Sequence, residues 1–178
     1  MRINVQQLQA IMTCSELKAS EFCEPLNIAM DKYSINTLLR EAAFLAQVGH
    51  ESGRLFYVKE IASGKAYEGR KDLGNTKAGD GVKFKGRGLI QITGRTNYKQ
   101  CGTDLKLDLL THPELLETTD NACLSAAWFW NLHHLNPLAD QQLLSSITKV
   151  INGGQNGQLD RQLLYNKAKS ILSDKRQQ

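Results

Sequence analysis

Seven glycines fall between positions 53 and 86 (Gly53, Gly64, Gly69, Gly74, Gly79, Gly81 and Gly86), with few apolar residues among them. Glycine costs roughly 1 kcal/mol relative to alanine inside a helix, so no regular helix runs through this stretch. An irregular segment of that length inside a 178-residue chain points to a functional loop rather than a connection. On both sides of it the pattern is helical. The chain must therefore build a helical body around one irregular insert.

The helical signals are local and specific. Asn4 is placed to cap residues 5–12, where Leu8, Ile11 and Met12 share a face. A second stretch runs from Ser15 to about Lys32, and Pro25 within it is expected to break or kink it. A third spans residues 37–52 after Asn36, with Leu38, Leu39, Ala42, Ala43, Leu45 and Ala46 forming a wide apolar stripe. Gly53 is positioned to end it in the left-handed region. Residues 82–84 and 89–92 read as two short strands, the second buried. Beyond them the spacing predicts short helices over 95–101 and 113–116 and a buried helix over 121–132. Two more are predicted over 146–151 and 160–172, before a polar tail. The fold class is mainly α, a single domain over 1–178 with a small loop-and-hairpin lobe around 54–93.

Composition narrows the class of activity. No stretch approaches the roughly 18 apolar residues of a membrane span, and the first residues hold no apolar run of signal-peptide length, so Sec export is not expected. Four cysteines (Cys14, Cys23, Cys101, Cys123) show no CxxC pair, so reduced thiols filling core space are expected and no metal site. Residues 54–106 hold twelve Lys/Arg against five Asp/Glu, a charge of +7, whereas the whole chain carries +4. The remainder therefore carries −3. A basic middle between acidic flanks implies an anionic partner, whether nucleic acid, anionic glycan or bacterial envelope.

Two constellations could carry chemistry. Glu51 follows His50 in the last turn of the third helix, where the negative end of the helix and apolar neighbours disfavour a carboxylate charge. A general acid needs such surroundings, although a solvated carboxylate at a fraying helix end accounts for the sequence as well. Glu60 lies nine residues on, at the mouth of the glycine-rich loop, and Glu68 rivals it as a second carboxylate. Two carboxylates in unlike environments are the apparatus of glycoside hydrolysis. The run from Gly86 to Tyr98 (GRGLIQITGRTNY) is neither a dinucleotide fingerprint nor a P-loop, since Gln91 stands at the third glycine position. Gln91, Thr93 and Asn97 offer short donors and acceptors for sugar hydroxyls or a held water, or else serve only as turn and capping groups. His50 lacks a partner ligand and is expected to hydrogen-bond rather than bind metal, and Trp128 and Trp130 are expected in the core.

These motifs, together with Ala127-Trp128-Phe129-Trp130 and Ile151-Asn152-Gly153-Gly154 in the same order, resemble family 19 glycoside hydrolases from about Val5 to Leu172. The likeness is greatest to compact phage endolysins and prophage lysins of that family. The resemblance implies a lysozyme-like, bilobed, mostly helical fold and an inverting reaction at β-1,4 bonds beside N-acetylated sugars. It implies Glu51 as general acid, Glu60 as general base and Thr93 as a holder of the attacking water. It implies His50, Gln91, Asn97, Tyr98 and Asn152 at the sugar subsites, and Arg161 against the acid–base network. The extra loops and disulfide cysteines of plant chitinases are not recognisable. No cofactor is implied. The expected partner is peptidoglycan, with a further contact to an anionic outer envelope; nucleic-acid binding, membrane insertion and oligomerisation are not expected. Such a lysin would be made in a host cytoplasm and reach the wall by holin-type or other release. Chitinase activity and a non-catalytic glycan-binding module are the alternatives.

Overall fold

The computed structural model describes residues 2–173 and is built from nine α-helices with three short 3₁₀ turns. The helices are α1 (Val5–Met12), α2 (Glu16–Lys32), α3 (Leu38–Glu51), α4 (Asp80–Lys83), α5 (Arg95–Leu105), α6 (Thr119–Leu132), α7 (Leu135–Asp140), α8 (Leu144–Asn152) and α9 (Gln158–Ser173). The cap predicted at Asn4 is present and the one predicted at Asn36 moves by one residue. Asn4 and Gln7 form a reciprocal capping box on α1, Ser15 caps α2, and Thr37 rather than Asn36 caps α3.

α3 runs through the middle of the molecule. Every residue from Glu41 to Gly49 on it is buried, because α9, α7 and α6 surround it. Phe44 meets Trp130 of α6 edge to face with ring centres 5.5 Å apart. α2 packs on α6, and α1 lies against α2 and α9. The buried apolar residues join into one cluster that includes Trp128 and Trp130. The indole N–H of each finds a partner at 2.8 Å, Asp104 and Asn136 respectively. Cys23, Cys101 and Cys123 are buried in this core as free thiols; Cys14 is only half-buried. Burial pushes the Cys101 thiol up to about 12.

Two local expectations fail. α2 continues unbroken past Pro25. The proline forfeits one backbone hydrogen bond, but Phe22, Cys23, Leu26, Ala29 and Met30 on both sides of it are buried, and that packing decides the outcome. The two predicted strands are absent as well. Residues 80–83 form the single turn α4, while 87–92 close on themselves as a tight loop. In that loop Arg87 and Ile92 exchange backbone hydrogen bonds of 3.1 and 2.8 Å, with Gly88 and Gln91 at φ +78° and +59°. Among the described residues the β content is two isolated bridges, Lys59 with Arg87 and Arg87 with Ile92. The short helix α7 was not legible as a separate element.

The irregular segment is held from within. Glu68 accepts from the N–H groups of Gly79 and Gly81 at 2.7 and 2.8 Å, and so organises the start of α4. Asp80 is buried and takes both a guanidinium fork from Arg95 and the Lys77 N–H. The Arg95 hydrogen bonds hold its carboxyl down at about 2.

Candidate active site

α3 ends where the predicted acid sits. Ser52 Oγ donates to Val48 O at 2.6 Å and accepts from Leu55 N at 2.8 Å, tying a turn together. That turn places Gly53, Arg54 and Leu55 in succession in the left-handed region, at φ +57°, +66° and +69°. The strain is offset by burial of Leu55 and by the ion pair of Arg54 with Asp160 of α9. Asp160 also meets His50 Nδ1 at 2.6 Å. The Arg54 fork, with His50 second, holds the Asp160 carboxyl down at about 2. His50 thus makes the structural hydrogen bond expected of it.

The carboxyl of Glu51 is half-buried and takes a charge-assisted hydrogen bond from Arg161 Nη2. Arg161 is fully buried, so it holds the Glu51 carboxyl from the interior side and has no exposed surface for a sugar. Its other end donates to Gln47 Oε1, and Gln47 Nε2 donates to Thr148 Oγ1 at 3.1 Å. Local reasoning at Glu51 foresaw an apolar surround; the structure puts a guanidinium there, from a residue 110 positions away. Gln47, Thr148 and Asp160 were missed. Gln47 did carry a signal: it is a polar residue on the apolar stripe, one helical turn before Glu51.

Glu60 is held quite differently. Its two oxygens accept from the Tyr67 hydroxyl and from the Gly86 N–H, both at 3.0 Å. A Cβ on Gly86 would lie 2.7 Å from Gln91 Oε1 and 3.3 Å from Glu60 Oε2, so glycine lets these two groups converge. Gln91 Nε2 donates to Gly88 O at 2.9 Å, which aims its Oε1 toward Gly86. Thr93 Oγ1 donates to Gln91 O at 2.9 Å, and Asn97 Nδ2 to Thr93 O at 2.8 Å. The structure therefore brings Glu60, Gln91, Thr93 and Asn97 into one loop cluster. Glu68 is committed to the backbone of α4 and stands apart from that cluster.

Tyr98 departs from its expected place. Its ring is fully buried, and its hydroxyl donates to Lys85 O at 2.6 Å while accepting from Arg87 Nη1 at 3.0 Å. Burial pushes that hydroxyl well above the ordinary tyrosine value. Tyr98 braces the loop from inside and has nothing exposed to offer a sugar. Asn152, at the end of α8, is exposed. A hollow of about 450 Å³ beside α5, lined by Lys99, Lys106 and Leu107 among others, contains none of these carboxylates.

The sequence profile of glycoside hydrolase family 19, described as class I chitinase, matches residues 35–161. The chain belongs to glycoside hydrolase family 19. A family 19 domain-containing protein of Haemophilus influenzae is 29% identical over 177 residues, covering 80% of this chain and 84% of that one. An endochitinase of Arabidopsis thaliana is 40% identical over 129 residues, 71% of this chain but only 44% of the plant protein. This family 19 chain thus spans under half the length of that plant relative. Among solved structures, chitinase C of Streptomyces griseus superposes with a TM-score of 0.78 at 25% identity, covering 96% of this chain and 92% of that one. The lysozyme-like, mainly helical fold expected from the sequence is the fold this family 19 chain has.

Proposed function

We propose that the chain hydrolyses β-1,4 bonds of bacterial peptidoglycan, as an endolysin does, by an inverting acid–base reaction. The observation that carries this reading is a pair of half-buried carboxylates held by unlike donors. Glu51 takes an arginine; Glu60 takes a phenol and a peptide N–H. Arg161 occupies Oε1 of Glu51, which leaves Oε2 to carry a proton to the glycosidic oxygen. On the other side Glu60 draws a proton from water. The Thr93 hydroxyl already donates to Gln91 O, so it can only accept the water's second hydrogen. With both hydrogens engaged, a lone pair of that water attacks the anomeric carbon. The C–O bond breaks, and its electron pair leaves with the oxygen that Glu51 protonates. Inversion requires carboxyls about 6.5–9.5 Å apart. Gln91, Asn97, Asn152 and His50 are the proposed sugar contacts.

Charge favours peptidoglycan, whose lactyl and peptide groups are anionic. Five of the twelve basic residues of segment 54–106 sit in ion pairs: Arg54, Lys59, Arg70, Arg87 and Arg95. That leaves seven lysines (Lys65, Lys71, Lys77, Lys83, Lys85, Lys99, Lys106) without a carboxylate partner among the described residues. Of the five acids of the segment, Asp72 and Asp80 are paired with Arg70 and Arg95, which leaves Glu60, Glu68 and Asp104 against those seven lysines. The outward charge is therefore cationic. The names of the relatives support a second reading, chitinase activity.

The test is digestion of purified peptidoglycan and of chitin oligomers in parallel, with products identified by mass spectrometry after borohydride reduction. Reduced sugar ends from peptidoglycan, lost in Glu51→Gln, are expected. Products from chitin alone would move the function to chitinase. No product from either substrate by the folded protein would leave a glycan-binding module.

A further inference from the structure

Behind Glu51 lies a chain of buried hydrogen bonds whose direction is fixed at every link. Thr148 Oγ1 donates to Leu144 O, one turn back on α8, at 3.0 Å. A hydroxyl has one hydrogen, so toward Gln47 the Thr148 oxygen can only accept, and it accepts from Gln47 Nε2 at 3.1 Å. The amide must then present Oε1 in the other direction, where Arg161 Nη1 donates to it. Arg161 has no acceptor of its own, so the reverse amide orientation would set donor against donor. With Nη1 on Gln47 and Nε on Asn156 O at 3.3 Å, the guanidinium plane is set and Nη2 is aimed at Glu51. Gln47, Thr148 and Arg161 are all fully buried. Bulk solvent does not reach these side chains, and the three helices α3, α8 and α9 meet at this one amide.

We infer that Thr148 and Gln47 are positioning residues for the Glu51 carboxyl, acting through Arg161 to fix which oxygen bears the transferable proton. The inference rests on the reading of Glu51 as the proton donor. Removing the Thr148 hydroxyl leaves the Gln47 amide clamped at one end only. The guanidinium then gains freedom in the direction that sets Glu51 against its target. Misplacement of a reacting group by about 1 Å costs on the order of a hundredfold in rate.

The experiment compares Thr148→Val, which keeps the shape and removes the hydroxyl, with Thr148→Ser, which keeps the hydroxyl. Both are assayed on whichever of solubilised peptidoglycan or N-acetylglucosamine oligomers the wild type cleaves. Thr148→Val is expected to lose between about tenfold and a hundredfold in kcat with KM within about twofold. Thr148→Ser is expected to retain wild-type kcat. The loss should shrink on a dinitrophenyl glycoside, whose leaving group needs no proton. A folded Thr148→Val with wild-type kcat, or a Thr148→Ser as impaired as the valine variant, would overturn the proposal. Should Thr148→Val fail to fold, Gln47→Met carries the test by the same criteria. Glu51→Gln run alongside separates the two claims. If it is fully active, the acid assignment fails and takes the positioning role with it; if it is inactive while Thr148→Val is unimpaired, only the positioning role fails.

Discussion

At Gly157 the backbone runs at φ +72°, and a Cβ there would collide with the imidazole of His50. Gly69 has a similar φ of +69° with nothing within 4 Å. The two positions separate a backbone cost from a site effect. Alanine at either should cost roughly 1–2 kcal/mol for the left-handed conformation, or several degrees in melting temperature. Only Gly157→Ala should also displace His50 from Asp160 and reduce hydrolysis. Equal activity of the two variants, measured at a temperature where both are folded, would detach His50 from the reaction. At this scale the sequence was partly legible. Glu51 and Glu60 stand out by position, because a helix end and a loop mouth can be read from neighbouring residues. Their surroundings do not: Arg161 entered only through the family resemblance, and Asp160 and Thr148 reach α3 only through packing.

The element that most needs support is the glycine-rich segment before α5, and its staple is the pair of buried Asp80 with half-buried Arg95. The Asp80 carboxyl is held at about 2 against an ordinary 3.8. A carboxyl depressed on folding stabilises the fold above its unfolded value and loses that contribution as pH falls toward the folded one. Acid should therefore loosen this segment between about pH 4 and pH 2, and limited acid proteolysis should cut first within 64–95. Asp80→Asn should make the same region protease-sensitive at neutral pH and cost roughly 1.5–3 kcal/mol, as for lost hydrogen bonds to a charged group whose partner keeps some solvent. Cleavage that begins instead in α1 or α9 would show that the pair is not the staple. Helix caps were foreseen here to within a residue or two, since capping is decided over one turn. The two strands were misread because Val82–Phe84 and Leu89–Ile92 have strand-like side chains, while Glu68 and the left-handed Gly88 and Gln91 fold the backbone into turns.

For the whole molecule, the separation of charge should govern which polymer is bound. Salt shortens the screening length from about 10 Å at 0.1 M to about 3 Å at 1 M. Raising it should slow digestion of anionic peptidoglycan while leaving cleavage of neutral N-acetylglucosamine oligomers nearly unchanged. Equal salt dependence on the two substrates would remove the basic segment from substrate choice. That excess could be counted from the sequence, because lysine over acid is a property of composition. The sequence by itself also determined the helical body, its caps, the irregular insert and the two carboxylates at the insert's edge, all of which follow from interactions spanning a few residues. Only the tertiary structure decided that α2 survives Pro25, that Tyr98 turns inward, and that Gln47 and Thr148 converge on Arg161 behind Glu51. Those outcomes depend on burial and on donor–acceptor matching between helices far apart along the chain, and such terms exist only once the helices have packed.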